Sequence, residues 1–299
     1  MHGEHRRIKF LFAFVINLFI VSALAGSAVA AIVYESTTNA NTGNATLSIP
    51  APSNIEEGDL LIANFCQDGY SGNGPSCDGW TELSSVDLWP GDPNKQPKRG
   101  SVLYKVAGAS DEITTAYQFT ISGTTDGEVD EFIGFISRFS GVDTTTPFDA
   151  VGTHQVTPCY TLYVTAPGIT TVTNNAMVLF LVQQGDEDPF YDFGWQTTNL
   201  GSLSEIFDQY QRDSVGLGAA IAIMPSAGAT GDGSAMFGDG TDPNPTAQPP
   251  TNAGILVALR EAPSTPTSIP TLSEWGMIIF ALLMAGTAFV VIRRRHISA

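Results

Sequence analysis

The stretch Ala116-Tyr117-Gln118-Phe119-Thr120-Ile121 alternates a large apolar residue with a polar one. Successive side chains of a strand point to opposite faces, so Tyr117, Phe119 and Ile121 share one face and Gln118 and Thr120 the other. Leu162 and Val164 repeat the alternation. Working outward, the same strand-forming chemistry recurs at Asp59–Phe65, Ser101–Ala107, Phe132–Phe139, Tyr160–Thr165, Ala176–Val182, Gly218–Met224 and Gly254–Arg260. Each is rich in β-branched, aromatic or aliphatic residues, and Gly, Pro, Asn and Asp punctuate the gaps. No stretch between Ala31 and Arg260 keeps a helical period for a dozen residues. The pattern predicts an all-β fold, an antiparallel β-sandwich that is jelly-roll-like, rather than α/β. Residues 31–260 read as one domain. Two small sandwiches split near Asp143–Pro147 are the alternative, set aside because no linker-like run occurs there.

Composition bounds what such a domain does. The chain has 299 residues, 43% hydrophobic with 17 Phe, which is enough to bury a core and excludes wholesale disorder. A net charge of −17 excludes a nucleic-acid binder that works through backbone electrostatics. Between Ala31 and Ser268 stand 28 Asp and Glu against seven Lys and Arg, a net −21.

The two ends read as addresses. In residues 1–30, Arg6, Arg7 and Lys9 precede an apolar run from Phe10 to Leu24, and Ala28 and Ala30 supply the small residues of a signal-peptidase site. That predicts a signal peptide and a mature chain starting at Ala31. Residues 261–268 (Glu-Ala-Pro-Ser-Thr-Pro-Thr-Ser) form a Pro/Ser/Thr linker. In residues 269–299, Gly276 to Ile292 is uncharged and of the minimal length that spans a hydrocarbon core of ~30 Å. Arg293, Arg294 and Arg295 follow, so one C-terminal transmembrane helix is predicted, with its basic end in the cytoplasm.

Immediately before that helix stands Ile269-Pro270-Thr271-Leu272-Ser273-Glu274-Trp275-Gly276. It resembles the IPTL-type carboxy-terminal sorting signal of bacterial exported proteins, whose pattern is I-P-T-L-x-x-W-G. All six specified positions match, and the helix and arginine cluster follow in the family's order. The resemblance implies recognition by an exosortase, with the helix as a transient inner-membrane anchor that is cut near the motif, leaving the protein at the cell surface or outside the cell. Pro270 donates no backbone hydrogen bond and holds the segment extended for a processing enzyme. A looser resemblance covers the domain: Glu57–Ala63, Gly79-Trp80, Leu103–Ala107, Ser140–Asp149, Ala227–Gly231 and Leu256–Arg260 look like a recurring β-sandwich domain of bacterial secreted proteins. It implies a fold and an extracytoplasmic setting, and no chemistry.

Several residues are candidates for chemistry inside 31–260. Cys66, Cys77 and Cys159 lie in what would be an oxidising compartment. A Cys66–Cys77 disulfide is the expected pairing of three, closing a Gly-rich loop. His154 stands alone between the two addresses, too few ligands for zinc, and no Gly-x-Ser-x-Gly elbow accompanies it. Acidic clusters occur at Asp126/Glu128/Asp130/Glu131, Asp186/Glu187/Asp188 and Asp232/Asp239/Asp242. They read first as a solvated surface that keeps the protein soluble. Asp239, Asp242 and Asn244 are alternatively oxygen ligands for Ca²⁺, the one cofactor that the sequence leaves open. Among the long loops, Gln67–Gly79 is Gly/Ser/Asp-rich, Pro90–Gly100 holds Lys95, Lys98 and Arg99, Asp186–Gly194 is acidic and aromatic, and Pro225–Ala253 is rich in Gly, Asp and Pro. Phe190, Tyr191 and Trp195 are the candidates for stacking on a polysaccharide, whereas Trp80 reads as core. The expectation is a surface-sorted, non-catalytic protein with a structural, adhesive or matrix role, the alternatives being a carbohydrate-binding module and, third, a glycan-active enzyme.

Overall fold

The computed structural model describes residues 31–68, 73–88, 98–122, 131–158, 163–185, 194–211, 215–236, 251–263 and 278–287. Two compact units divide the chain. One runs from Ala30 to Ala262, and the other joins Met1–Val29 with Pro263–Ala299. In the second unit, the described residues 278–287 form an α-helix (α1) with solvent-exposed Ile278, Phe280, Leu282 and Leu283. Among the described residues no helix is long and apolar enough to cross a membrane. The rest of the expected span lies outside them.

The first unit is built of antiparallel sheets. Its strands are β1 (Val33–Thr42), β2 (Thr46–Pro50), β3 (Leu60–Asp68), β4 (Asn73–Ser76), β5 (Thr81–Asp87), β6 (Arg99–Val106), β7 (Ala116–Ser122), β8 (Glu131–Ser140), β9 (Phe148–Val151), β10 (Gln155–Pro158), β11 (Tyr163–Ala166), β12 (Ala176–Gln184), β13 (Gln196–Thr197), β14 (Gly201–Ser202), β15 (Ser204–Gln211), β16 (Val215–Met224), β17 (Gly233–Met236) and β18 (Thr251–Leu259). The alternation that opened the sequence analysis is borne out in β7: Tyr117, Phe119 and Ile121 are buried, and the residues between them are exposed.

Among the described residues, four sheets stack as four layers with three apolar cores. A five-stranded sheet, β1-β8-β3-β6-β5, carries a small sheet, β2-β7-β4, on its outer face. Leu47, Ile49, Phe119 and Ile121 of the small sheet pack there on Leu61, Ala63, Phe65 and Ile136. The second half repeats this. β10-β18-β12-β16-β15 carries β11-β17-β13-β14, and Val164, Ala166 and Ala235 pack on Val178, Phe180 and Leu256. The inner faces of the two large sheets then meet. Leu60, Ile62, Phe135 and Phe139 pack against Leu179, Leu181, Leu217 and Val257. Sandwiched between layers, β3 and β12 are buried along their whole length. Their sequences are therefore near-continuous apolar runs without alternation.

The two halves share one strand order: reading β1, β2, β3, β6, β7 and β8 as β10, β11, β12, β16, β17 and β18 maps one pair of sheets onto the other. Each order is that of a jelly roll with a strand moved to the larger sheet. Details follow the same correspondence. β3 and β12 are both entered from a residue with positive φ, Gly58 (95°) and Asn175 (58°). β8 and β18 each hold a glycine where a Cβ would collide with a Phe ring: Gly134 with Phe65 at 2.5 Å, and Gly254 with Phe180 at 2.8 Å. The join falls between Ser140 and Phe148, where the sequence reading had set aside a two-sandwich split. Two such sandwiches lie side by side in the chain, and their shared inner core makes residues Ala30 to Ala262 one compact unit.

Candidate functional site

The sorting signal, Ile269, Pro270, Thr271, Leu272, Trp275, Gly276 and Arg293 to Arg295, lies outside the described residues, as do the cleavage residues Ala28 and Ala30. So do Cys159, Phe190, Tyr191, Asp239, Asp242 and Asn244, most residues of the acidic clusters, and the aromatic side chains Tyr70, Trp89 and Phe193. Among the described residues no group of His, Cys, Asp and Glu is arranged to hold a metal ion.

The strand termini bordering the undescribed loops converge on one end of the β unit. Gln67 pairs with Arg99, Asp68 with Glu131, and Gln184 with both Gly216 and Asn252. Contacts between the large sheets put the corresponding termini of both halves at the same end: Lys98 Nζ donates to Gly185 O at 3.1 Å, and Cys66 Sγ to Gln184 O at 3.2 Å. Here the apolar strands turn polar while still buried. Asn64, Gln67, Gln183, Gln184 and Asn252 are fully shielded, and Asp68 and Lys98 nearly so. Some of these groups are satisfied across the core. Gln183 Nε2 donates to Asn64 Oδ1 at 2.6 Å, and Asn64 Nδ2 to Val182 O at 3.1 Å. Lys98 pairs with Asp68 at 3.3 Å. Among the described residues the side-chain amides of Gln67 and Gln184 have no hydrogen-bond partner. The sequence reading passed over this strip, although its signal was present: polar residues closing otherwise apolar strands, Gln67-Asp68 and Gln183-Gln184.

Two expectations are corrected. The Cys66–Cys77 disulfide is not formed, and both thiols are free. Cys66 projects from β3 into the inner core, whereas Cys77 packs against the outer core on the opposite face of the same sheet. Burial pushes the Cys66 thiol well above its ordinary range. Trp195 is not a surface platform. It is fully buried, edge-on to Phe180 with ring centroids 5.5 Å apart, and its indole N–H donates to Glu205. Trp80 is half-buried and packs edge-on to Tyr117 and Phe119 at the margin of the outer core.

His154 precedes β10, in the second half. Its Nδ1 lies 2.9 Å from Ser84 Oγ on β5, in the first half. Burial pulls the imidazole down to about 4, opposed by a side-chain hydrogen bond with Gln183, so the ring is neutral at physiological pH. A neutral His joined to Ser across two edge strands is a clasp between the halves. The remaining buried charges are structural pairs. Arg138 Nε meets Asp59 Oδ2 at 2.6 Å, and Arg138 Nη1 donates to Ser53 O. Arg260 meets Asp149, which also accepts the Val172 and Thr173 N–H groups.

The IPTL-CTERM motif matches residues 267–296 of the chain. The motif implies an exosortase-type processing partner and sorting to the cell surface. No curated protein and no solved structure is detectably similar to the chain.

Proposed function

We propose that the chain is an exported protein whose β unit is displayed at the cell surface or in the extracellular matrix, in a structural or adhesive role without catalysis. An exosortase processes its C-terminus. The IPTL-CTERM motif at 267–296, set directly after a large β-rich unit, carries this reading. Residues 1–30 are its signal peptide, and the segment from Met277 to Ile292 is its anchor before processing. The proposal assigns no chemistry to His154, whose ring is spent on the clasp to Ser84.

The physical case for the motif rests on Pro270 and Trp275. Pro270 keeps the backbone extended for threading into an enzyme. Trp275 marks the interface where the apolar run begins. Pro270→Ala or Trp275→Ala therefore leaves export intact and accumulates an uncut, membrane-bound form, read by fractionation and immunoblotting. Wild-type processing in both variants would reject the assignment. Glycan binding remains the second reading. With Trp195 inside the core, it rests on Phe190 and Tyr191, and a glycan array on the purified protein tests it.

A further inference from the structure

We propose that Lys98 and Asp68 are a self-processing cross-link site, at which an isopeptide bond joins Lys98 Nζ to Asp68 Cγ with Glu131 carrying the proton. The inference rests on the β unit alone and is independent of how the C-terminus is sorted.

The placement follows from register. Asp68 closes β3, Glu131 opens β8 opposite it, and Lys98 immediately precedes Arg99, which opens β6 opposite Gln67. Residues two apart on a strand share a face. Cys66, Ile133 and Val102 all point into the inner core, so Asp68, Glu131 and Lys98 do too. Across three neighbouring strands the row therefore reads Glu131, Asp68, Lys98, with the acceptor carboxyl between the amine and a second carboxylate. Lys98 Nζ stands 3.3 Å from Asp68 Oδ2, and the two side chains are only 9% and 11% exposed. A second contact, from Nζ to Gly185 O at 3.1 Å on the facing sheet, fixes the nitrogen. The Cys66 thiol registers all three as near charges, Lys98 lowering it and Asp68 and Glu131 raising it, on top of the larger effect of burial.

This is the geometry that amide formation needs. An ion pair out of water is poorly repaid for its lost hydration. Proton transfer from Nζ to the carboxylate removes both charges and leaves an amine beside a carboxylic acid. The Nζ lone pair then attacks Cγ. The Cγ–Nζ bond forms, the Cγ–hydroxyl bond breaks, and the nitrogen's surplus proton passes through Glu131 to the departing hydroxyl. The products are a neutral amide and one water, and Glu131 ends as it began. No oxidant, metal or other reactant enters. Holding the groups in contact supplies the effective concentration that free amine and acid lack. The pair Lys105–Asp111, at 2.7 Å, is arranged differently: among the described residues its further partners are the Gly108 N–H and the Tyr117 hydroxyl and not a second carboxylate.

Intact-mass and peptide-fragmentation analysis of the purified full chain tests the proposal. The expected mass is that of the sequence between the observed termini less one water, with fragments that join Lys98 to Asp68. Lys98→Arg and Glu131→Gln should both return the full sequence mass. Asp68 precedes Gly69, a dipeptide that can itself lose water by cyclising on the backbone. Lys98→Arg separates the two origins, because backbone cyclisation would survive it. A full-mass wild type, or a deficit that persists in Lys98→Arg, overturns the cross-link. A deficit unchanged in Glu131→Gln overturns the part given to Glu131.

Discussion

At the scale of single residues, burial decides what a polar group does. His154 is neutral because its ring is shielded, which holds it at about 4 against an ordinary 6.5. Between those values the unfolded chain takes up a proton that the folded protein refuses, so this contribution to stability falls as pH drops through that window. Urea midpoints measured from neutrality to pH 4 should therefore decline more steeply in the wild type than in His154→Gln. Parallel curves would mean that the ring is not shielded in solution. Asp59 is a different case, a buried carboxylate paired with Arg138 Nε at 2.6 Å. Arg138→Ala strands that carboxylate and should cost about 3–5 kcal/mol in equilibrium unfolding. The double variant Asp59→Asn/Arg138→Ala should recover part of the loss. A loss below about 1 kcal/mol, the range of an exposed pair, would show that solvent reaches the site.

At the scale of elements, the sequence yields most of the strands and little of their stacking. Alternation identified β7 because that strand has one wet face. The apolar runs at Ala176–Val182 and Gly254–Arg260 were read as strands without a hint that both faces were covered, because periodicity is lost when every residue is buried. The duplication was legible only by self-comparison. Thr46-Leu-Ser-Ile-Pro-Ala-Pro52 has its counterpart in Thr161-Leu-Tyr-Val-Thr-Ala-Pro167, and Gly79-Trp80 in Gly194-Trp195. The second of these pairs also shows why Trp195 was misjudged: Trp80 had been assigned to the core on the same local sequence. The disulfide was misjudged because spacing along the chain does not tell which face of a strand a cysteine takes. The equivalent glycines test the duplication energetically. Gly134→Ala forces a methyl group against Phe65, and Gly254→Ala against Phe180 and the Thr165 carbonyl. Each should lower stability by about 1–3 kcal/mol, the usual cost of overpacking. Neutral behaviour of either in thermal unfolding would show that its outer core is loosely packed.

At the scale of the whole molecule, the sorting motif implies export, and the β unit is the part that precedes it. Three stacked apolar cores lie within the unit from Ala30 to Ala262, and a net −21 between Ala31 and Ser268 sets copies of the chain to repel one another at low ionic strength. Truncation after Ser268 should release soluble protein that bypasses surface sorting, whereas wild type is retained at the surface in a strain with an active exosortase. The most direct test is mass spectrometry of the C-terminal peptide of the mature surface protein. The account predicts a terminus at or near Ile269–Gly276, with Met277 to Ile292 missing. A mature form that still carries Met277 to Ile292 and Arg293 to Arg295 would make the segment a permanent anchor and contradict the account.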